Sequence, residues 1–393
     1  MRIIVCPHDM GMGGSQINAI DLAAGMQDRG HEVMLYCEPG RLVGVAEARG
    51  LDWAPSPSGL RLSGAWATGL VRWVRSWRAD LVHTYEWAPS LGASFGAHGV
   101  LGVPQVMTVL SMDIPRFLPR HLDLVVGTRR LLDEARAHPY RHVIEPPIDT
   151  HTDAPGGRRD ARHQWGIAPT DFVVSVVGRM TPDLGKDAGV LATIDAVNRL
   201  AETHHPVVLI AAGDGPSLES VQRAARGVND RHGRPVVIVP GNMDDPAPAY
   251  RAADVVVGMG SSVLRGMSCG KPAVVLGDQG YTRPVTQLTL PEFRQEGFYG
   301  VGDGHPYTVR SALQFLAEES GERRARGAWA RSVVEEHYSL LGAVGRLEEI
   351  YRGAIARRTS TVRKASSLAY SAAGFGSFLT TRNRSTKSGG VAA

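Results

Sequence analysis

Cysteine is scarce in this chain. Cys6, Cys37 and Cys269 are the only three among 393 residues, they lie on or beside apolar segments, and they share no metal-ligand spacing. That excludes a disulfide framework and a zinc–cysteine centre and predicts reduced, buried thiols. No Asp-x-Asp pair, His-x-x-His or Cys-x-x-Cys occurs either, so no metal site is expected and a metal-free mechanism is the default. Apolar runs are short, and none approaches the roughly 18 uninterrupted residues of a membrane span. The first residues, RIIVCP, enter a strand directly instead of a secretory signal, and the expected location is cytoplasmic.

Acidic residues run out at the C-terminus. From Arg357 to Ala393 there are seven basic residues and no acidic one, which leaves 36 basic against 39 acidic in the body. The net charge of +4 therefore belongs to the tail, and composition gives no argument for a nucleic-acid partner. With 43% hydrophobic and 21% charged residues, the body has room for two ordinary globular domains plus an appendage.

The most organised stretch is Ala253–Leu276, ADVVVGMGSSVLRGMSCGKPAVVL. Val255–Val257 and Ala273–Leu276 are short and β-branched, and a glycine-punctuated turn between them opens into a helical pattern. That is a strand, a loop, a helix and a strand. In a parallel sheet the loop faces the carboxyl edge, where the free N–H groups of the helix start can meet an anion. Gly258, Gly260, Ser261 and Ser262 would form that site, although any βαβ unit needs a small-residue turn.

Taken in order, the chain opens with a strand at Arg2–Pro7, a glycine loop at His8–Gly14, and a helix from Gln16 to Arg29 with Ser15 as cap and Ile17, Ile20 and Ala24 inward. A second strand follows at His31–Cys37. This opening predicts a doubly wound α/β domain; a dinucleotide site is the weaker reading, because GMGG lacks the third glycine. Leu60–Arg78 has Leu70, Val74 and Trp77 at helical spacing, which fits packing on the sheet, with peripheral membrane contact through Trp and Arg as the alternative. Ala79–Trp87 is a strand ending in His83, Tyr85 and Glu86, where a structural and a functional histidine are both open. Further strands are expected at Val103–Asp113, Leu124–Thr128 and Val143–Ile144, and the Pro- and Gly-rich Glu145–Asp160 marks a domain junction. The second half restarts with a strand at Asp171–Gly178, a charged loop at Arg179–Asp187, a helix at Ala188–Thr203, and strands at Pro206–Ala212 and Pro235–Val239. Helical patterns occupy Asp303–Glu319, Glu322–His337 and Glu335–Ile355. The expected division is 1–155, 156–338, a crossover helix at 339–356 and a flexible basic tail at 357–393.

These strings carry a resemblance. LRGMSCGKPAVV resembles the "LEAMACGKPVV" signature of the family 4, GT-B fold glycosyltransferases, and GGSQ followed by RGHEV resembles their opening. VGRMTPDLGK, AAGDGP, GNMDD and AYRAADVVV follow in the family's order. The resemblance covers about residues 1 to 356. It implies an α/β fold of the GT-B type, two doubly wound Rossmann-like domains facing across a cleft. It also implies retaining transfer of a sugar from a nucleotide-diphosphate donor, UDP- or GDP-linked, with no cofactor.

The resemblance assigns roles residue by residue. Arg179 and Lys186 would hold the donor diphosphate as its charge grows; the family lysine slot is Leu184, so Lys186 is shifted. Gly13 and Gly14 would let backbone amides approach the diphosphate, Gly213 and Gly215 match the family "GxGP", and Gly241, Asn242 and Met243 would meet the base. Gly260, Ser261 and Ser262 would face the phosphates. The family glutamate that holds the donor ribose falls on Arg265, which would turn to phosphate or to an acidic neighbour such as Asp183 or Asp214. On the acceptor side stand His8, His83, Tyr85, Glu86 and Asp113, while the family histidine of "TVH" is replaced by Leu110, so that Ser111, Asp113 or a histidine from another loop such as His8 would have to serve in its place. The acceptor would be a small sugar, cyclitol or thiol of specialised metabolism. Rivals are a non-catalytic nucleotide-sugar-binding protein and a nucleotide-sugar epimerase. The oligomeric state is open, a homodimer being one option, and a solvated tail is favoured over one that settles on an anionic membrane.

Overall fold

The computed structural model describes residues 1–57, 63–203, 206–302 and 307–388, apart from the side chains of 382–388. Leu60–Leu62, Asp303–Pro306 and the last five residues, which belong to expected helices and the tail, lie outside the described residues.

Strands in this chain read as continuous apolar runs because both faces of each sheet are covered. In β1 (Arg2–Cys6), Ile3, Ile4, Val5 and Cys6 are all buried. With β2 (Glu32–Cys37), β3 (Asp52–Pro55), β4 (Leu81–Tyr85), β5 (Gln105–Val109), β6 (Asp123–Val126) and β7 (Arg141–Val143) it builds a parallel sheet in the order β3-β2-β1-β4-β5-β6-β7. A second sheet contains β8 (Phe172–Val177), β9 (Val207–Ala212), β10 (Val237–Gly241), β11 (Val255–Gly258), β12 (Ala273–Leu276) and β13 (Thr282–Pro284), in the order β10-β9-β8-β11-β12-β13, antiparallel only at β13. Each sheet reverses its winding once, between β1 and β4 and between β8 and β11, and ligands of doubly wound sheets sit at the carboxyl ends of such strands.

The chain folds as two units, Met1–Glu145 with Leu340–Ala393, and Pro146–Ser339. The division thus falls ten residues before the expected 155/156 boundary. The physical reason is that 146–155 is tied to the second unit: Ile148 N donates to Tyr338 O at 2.8 Å, and Asp153 pairs with Arg265.

Six helices matter below. α1 (Gly14–Asp28) has Gly13 as its N-cap, and Ser15, expected to cap it, instead donates to Glu86 at 3.3 Å. Ile17, expected inward, is 40% exposed, while Ile20, Ala23 and Met26 are buried. α2 (Gly64–Trp77) buries Trp66, Leu70 and Val74 on β1 and β2 through Ile4, Cys6 and Tyr36, which accounts for its apolar face without a membrane. α3 (Lys186–Glu202) buries Val190, Ile194, Val197 and Leu200 as its spacing predicts. α4 (Ser261–Ser268) follows β11. α5 (Leu340–Ala356) belongs to the first unit, where Val344 lies against Gly25 and Glu348 takes Arg29. Leu341 and Ile355 are its exposed apolar residues.

The tail is not the flexible extension expected from its Ser, Thr, Gly and Ala content. It forms a helix, α6 (Thr361–Ser388), docked on the first unit. Ser371 is fully buried and donates to the Phe117 carbonyl, and Phe375 packs at 5.4 and 5.9 Å from Phe117 and Trp87. Gly374 permits the approach, since a Cβ there would come within 3.0 Å of the Phe117 Cβ. The small residues thus serve close packing, a use that composition alone does not distinguish from disorder. The three cysteines are free and buried, as expected. Among the described residues no helix is long and apolar enough to cross a membrane.

Candidate functional site

In the first unit the loop after β1 and the residues after β4 and β5 converge at the switch point. Glu86 is the centre of this cluster. It is 8% exposed, and its backbone sits at φ 63°, ψ 173°, a region that side-chain-bearing residues enter at a strain of about 1–3 kcal/mol. Its carboxylate accepts from Leu110 N at 3.0 Å, from Ser15 Oγ at 3.3 Å and from Ser111 Oγ. Beside it, Gln16 Nε2 donates to Asp9 Oδ1 at 2.6 Å and meets His8 Nε2 at 3.2 Å, and His8 Nδ1 is buried with no partner among the described residues. A Cβ on Gly13 would lie 2.4 Å from Gln16 Oε1, so a larger residue there would displace the Gln16 amide, whereas Gly14 is open.

Three expected acceptor-side residues stand elsewhere. His83 is fully enclosed: Nδ1 meets Tyr351 Oη at 2.6 Å, Nε2 meets Thr108 Oγ1 at 2.7 Å, and burial lowers its pKa to about 3. It is a satisfied core histidine, and the acceptor-side expectation for it is corrected. Tyr85 is 1% exposed, and burial pushes its hydroxyl far up. Asp113 is exposed on the loop beyond β5 and is not part of the Glu86 cluster. Ser15, Gln16 and Ser111 join that cluster instead; Ser15 is hidden from sequence reasoning by its fitness as a helix cap.

In the second unit the loops after β8, β9 and β10 are clamped together by backbone. Met180 N donates to Asp214 O at 2.8 Å, Ser217 N to Met180 O at 3.0 Å, and Gly213 N to Gly241 O at 2.8 Å. A Cβ on Gly213 would lie 1.8 Å from Gly178 O, and one on Gly215 2.3 Å from Met180 O. The GDG glycines therefore hold the Arg179 loop against its neighbour. Arg179 is exposed there. Lys186 begins α3 and lies 3.4 Å from Asp183.

Across the switch point, Gly260 caps α4 at φ 61°, with Tyr299 Oη 2.8 Å from where its Cβ would be. Burial, with the Asp183 carboxylate nearby, pushes Tyr299 up, so the loops bearing Asp183 and Gly260 share one neighbourhood. Ser261 is exposed, and Ser262 Oγ donates to Met259 O at 3.1 Å. Asn242 is exposed after β10, and Met243 packs against the core beneath it. Among the described residues no group of three or more His, Cys, Asp or Glu side chains is arranged to hold a metal ion.

Arg265 pairs with neither Asp183 nor Asp214 in this arrangement. It forks onto Asp153, Nε to Oδ2 at 2.7 Å and Nη2 to Oδ1 at 3.0 Å, above the Tyr250 ring. Burial pushes the Asp153 carboxyl up while Arg265 pulls it down, with burial ahead. No local pattern reveals this partner, which lies 112 residues away in a Pro- and Gly-rich stretch.

Two family profiles match in succession, Glycosyltransferase Family 4 over residues 12–174 and Glycosyl transferases group 1 over 171–294. The chain belongs to the family 4 glycosyltransferases. A curated relative, D-inositol 3-phosphate glycosyltransferase of Mycobacterium marinum, is 29% identical over 53% of this chain and 46% of its own length. The chain spans about half the length of the curated relatives it matches. The solved structure of Anabaena Alr3699/HepE in complex with UDP superposes with a TM-score of 0.70 at 17% identity, covering 90% of this chain and all of that one. A glycosyltransferase from Rickettsia africae superposes with a TM-score of 0.72 at 14% identity over 91% and 99%. These structural likenesses establish the fold, two Rossmann-like α/β domains of the GT-B kind.

Proposed function

We propose that this protein transfers a sugar from a nucleoside-diphosphate sugar to a small hydroxylated acceptor with retention of configuration and without a metal. The observation that carries the proposal is the exposed Arg179 on a loop clamped by Gly213 and Gly215 at the switch point, with Lys186 at the start of α3 and the N–H groups of Ser261 and Ser262 at the start of α4, the Gly260 N–H being taken by the Phe298 carbonyl at 2.8 Å. Breaking the bond between the anomeric carbon and the phosphate oxygen leaves new negative charge on the diphosphate. Fixed guanidinium, ammonium and amide donors stabilise that charge in the transition state. The leaving phosphate oxygen takes the acceptor hydroxyl proton as the new C–O bond forms on the same face, so no protein base is needed. Asn242 and Met243 would flank the base.

In the first unit, Glu86 with Ser15 and Ser111 presents a polar, carboxylate-centred cluster suited to a polyol. That agrees with the name of the mycobacterial relatives and with a cyclitol-like acceptor in specialised metabolism. Arg179→Ala is expected to lower turnover roughly 10²–10³-fold, with Lys186→Ala milder. The check is donor consumption with and without EDTA. Unchanged rates in both variants would sink the assignment of the clamp, and a strict need for added divalent metal would sink the metal-free mechanism.

A further inference from the structure

A cavity of about 450 Å³ opens in the first unit where α6 crosses the segment between β5 and β7. Three arginines line it, Arg120, Arg136 and Arg363, together with Ser366, Tyr370 and His121, and no carboxylate does. The hydrogen bonds of the arginines end on neutral oxygens. Arg120 donates to Tyr370 Oη at 2.5 Å, Arg136 to the Asp133 carbonyl at 3.1 Å, and Arg363 to Tyr140 Oη at 3.3 Å. Lys364, one residue along α6, likewise donates to the carbonyl of His98 at 2.7 Å.

His121 is 2% exposed; its Nε2 meets His98 Nε2 at 2.9 Å, and its buried Nδ1 has no partner among the described residues. Burial first, then His98, Lys364 and Arg363, lower its pKa to about 4, and burial with Arg120 lowers that of neighbouring His138 to about 4. Burial is the larger cause at both rings, and the cationic neighbours add to it with the same sign.

Uncompensated guanidinium groups gathered by a docked helix match an oxyanion, since each planar fork can take two oxygens, while the Ser366 and Tyr370 hydroxyls already donate to the Arg363 and Arg116 carbonyls. From this cluster we infer that the cavity binds a phosphoryl group bearing an organic substituent, as a soluble phosphate monoester or as the headgroup of an anionic phospholipid. The volume lies within the roughly 300–1,000 Å³ of ordinary small-molecule pockets, which suits more than a bare phosphate. The site belongs to the first unit and involves none of the residues assigned to the donor.

The test uses the full-length protein at fixed ionic strength. Glycerol 3-phosphate is titrated by calorimetry, and sedimentation is measured with phosphatidylcholine vesicles with and without phosphatidic acid. Arg136→Gln and Arg363→Gln alter exposed side chains, and thermal melts confirm that the variants fold. Saturable binding in either arm, weakened at least about tenfold by each variant and kept by Arg179→Ala, supports the site. The soluble arm then identifies a metabolite and the vesicle arm a lipid headgroup. Absence of binding in both arms overturns the proposal, as does binding that survives Arg136→Gln and Arg363→Gln or vanishes with Arg179→Ala.

Discussion

Replacing Arg265 by glutamate would put the family's usual residue into a site that this chain has rebuilt around a different partner. Asp153, 4% exposed, receives both fork nitrogens of Arg265 at 2.7 and 3.0 Å. Breaking such a pair leaves a buried charge uncompensated and is expected to destabilise the second unit by about 3–5 kcal/mol, with the added carboxylate pushing toward the upper end. Asp153 can relieve part of this by taking up a proton. Its pKa already lies above the ordinary value because of burial, and loss of Arg265 raises it further. A carboxyl raised above its unfolded pKa penalises the fold at neutral pH, and the penalty fades as pH falls toward about 4. Urea unfolding at pH 7.5 and pH 5, followed by circular dichroism, should therefore show the larger deficit at pH 7.5. The double replacement Asp153→Leu with Arg265→Met should recover most of the loss. If Arg265→Glu unfolds within about 0.5 kcal/mol of the parent at pH 7.5, the pair is not a structural clamp, and Arg265 is available to a ligand.

Three other outcomes are expected. Gly213→Ala puts a Cβ 1.8 Å from the Gly178 carbonyl at φ 148° and should destabilise the second unit by more than about 2 kcal/mol, whereas Gly14→Ala, with nothing within 4 Å, should be neutral or better; equal melts would refute the backbone clamp. In acid the first unit should fail first. His83 titrates near 3 in the fold against 6.5 unfolded, so its contribution is complete above about pH 6.5 and falls by roughly 2–3 kcal/mol as pH drops from 6 to 4. The lowered His98, His121 and His138 add to this loss. His83→Gln should flatten that pH dependence, and an unchanged slope would show that the ring is not held neutral. Deleting residues after Arg358 uncovers Phe117 and Trp87 and should lower the first unit's melting temperature in calorimetry, and an unaltered melt would mean that α6 contributes no packing.

Both doubly wound sheets were legible because parallel strands buried on two faces spell uninterrupted Val, Ile and Leu runs, and because α3 keeps its apolar spacing. The short edge strands β3 and β13 were not, since DWAP and TRP carry no such run. Gly213 and Gly215 could be located from their motif, but their reason, a carbonyl at 1.8 and 2.3 Å from the absent Cβ atoms, appears only when two loops meet. His83 stood at a strand end facing the expected site, and what buries it, Tyr351, comes from a helix 268 residues away. Asp153, Ser15 and the docking of α6 were hidden for the same reason: each depends on a long-range partner that local propensity does not encode.

The central claim is tested most directly by incubating the protein with UDP- and GDP-linked sugars and small polyol acceptors, and following free nucleotide and the anomeric configuration of the product. The account predicts that at least one donor is consumed by transfer or slow hydrolysis, that the product keeps the donor's anomeric configuration, and that Arg179→Ala suppresses the reaction. Donor binding without turnover, or isomerisation of the sugar in the absence of acceptor, would contradict it.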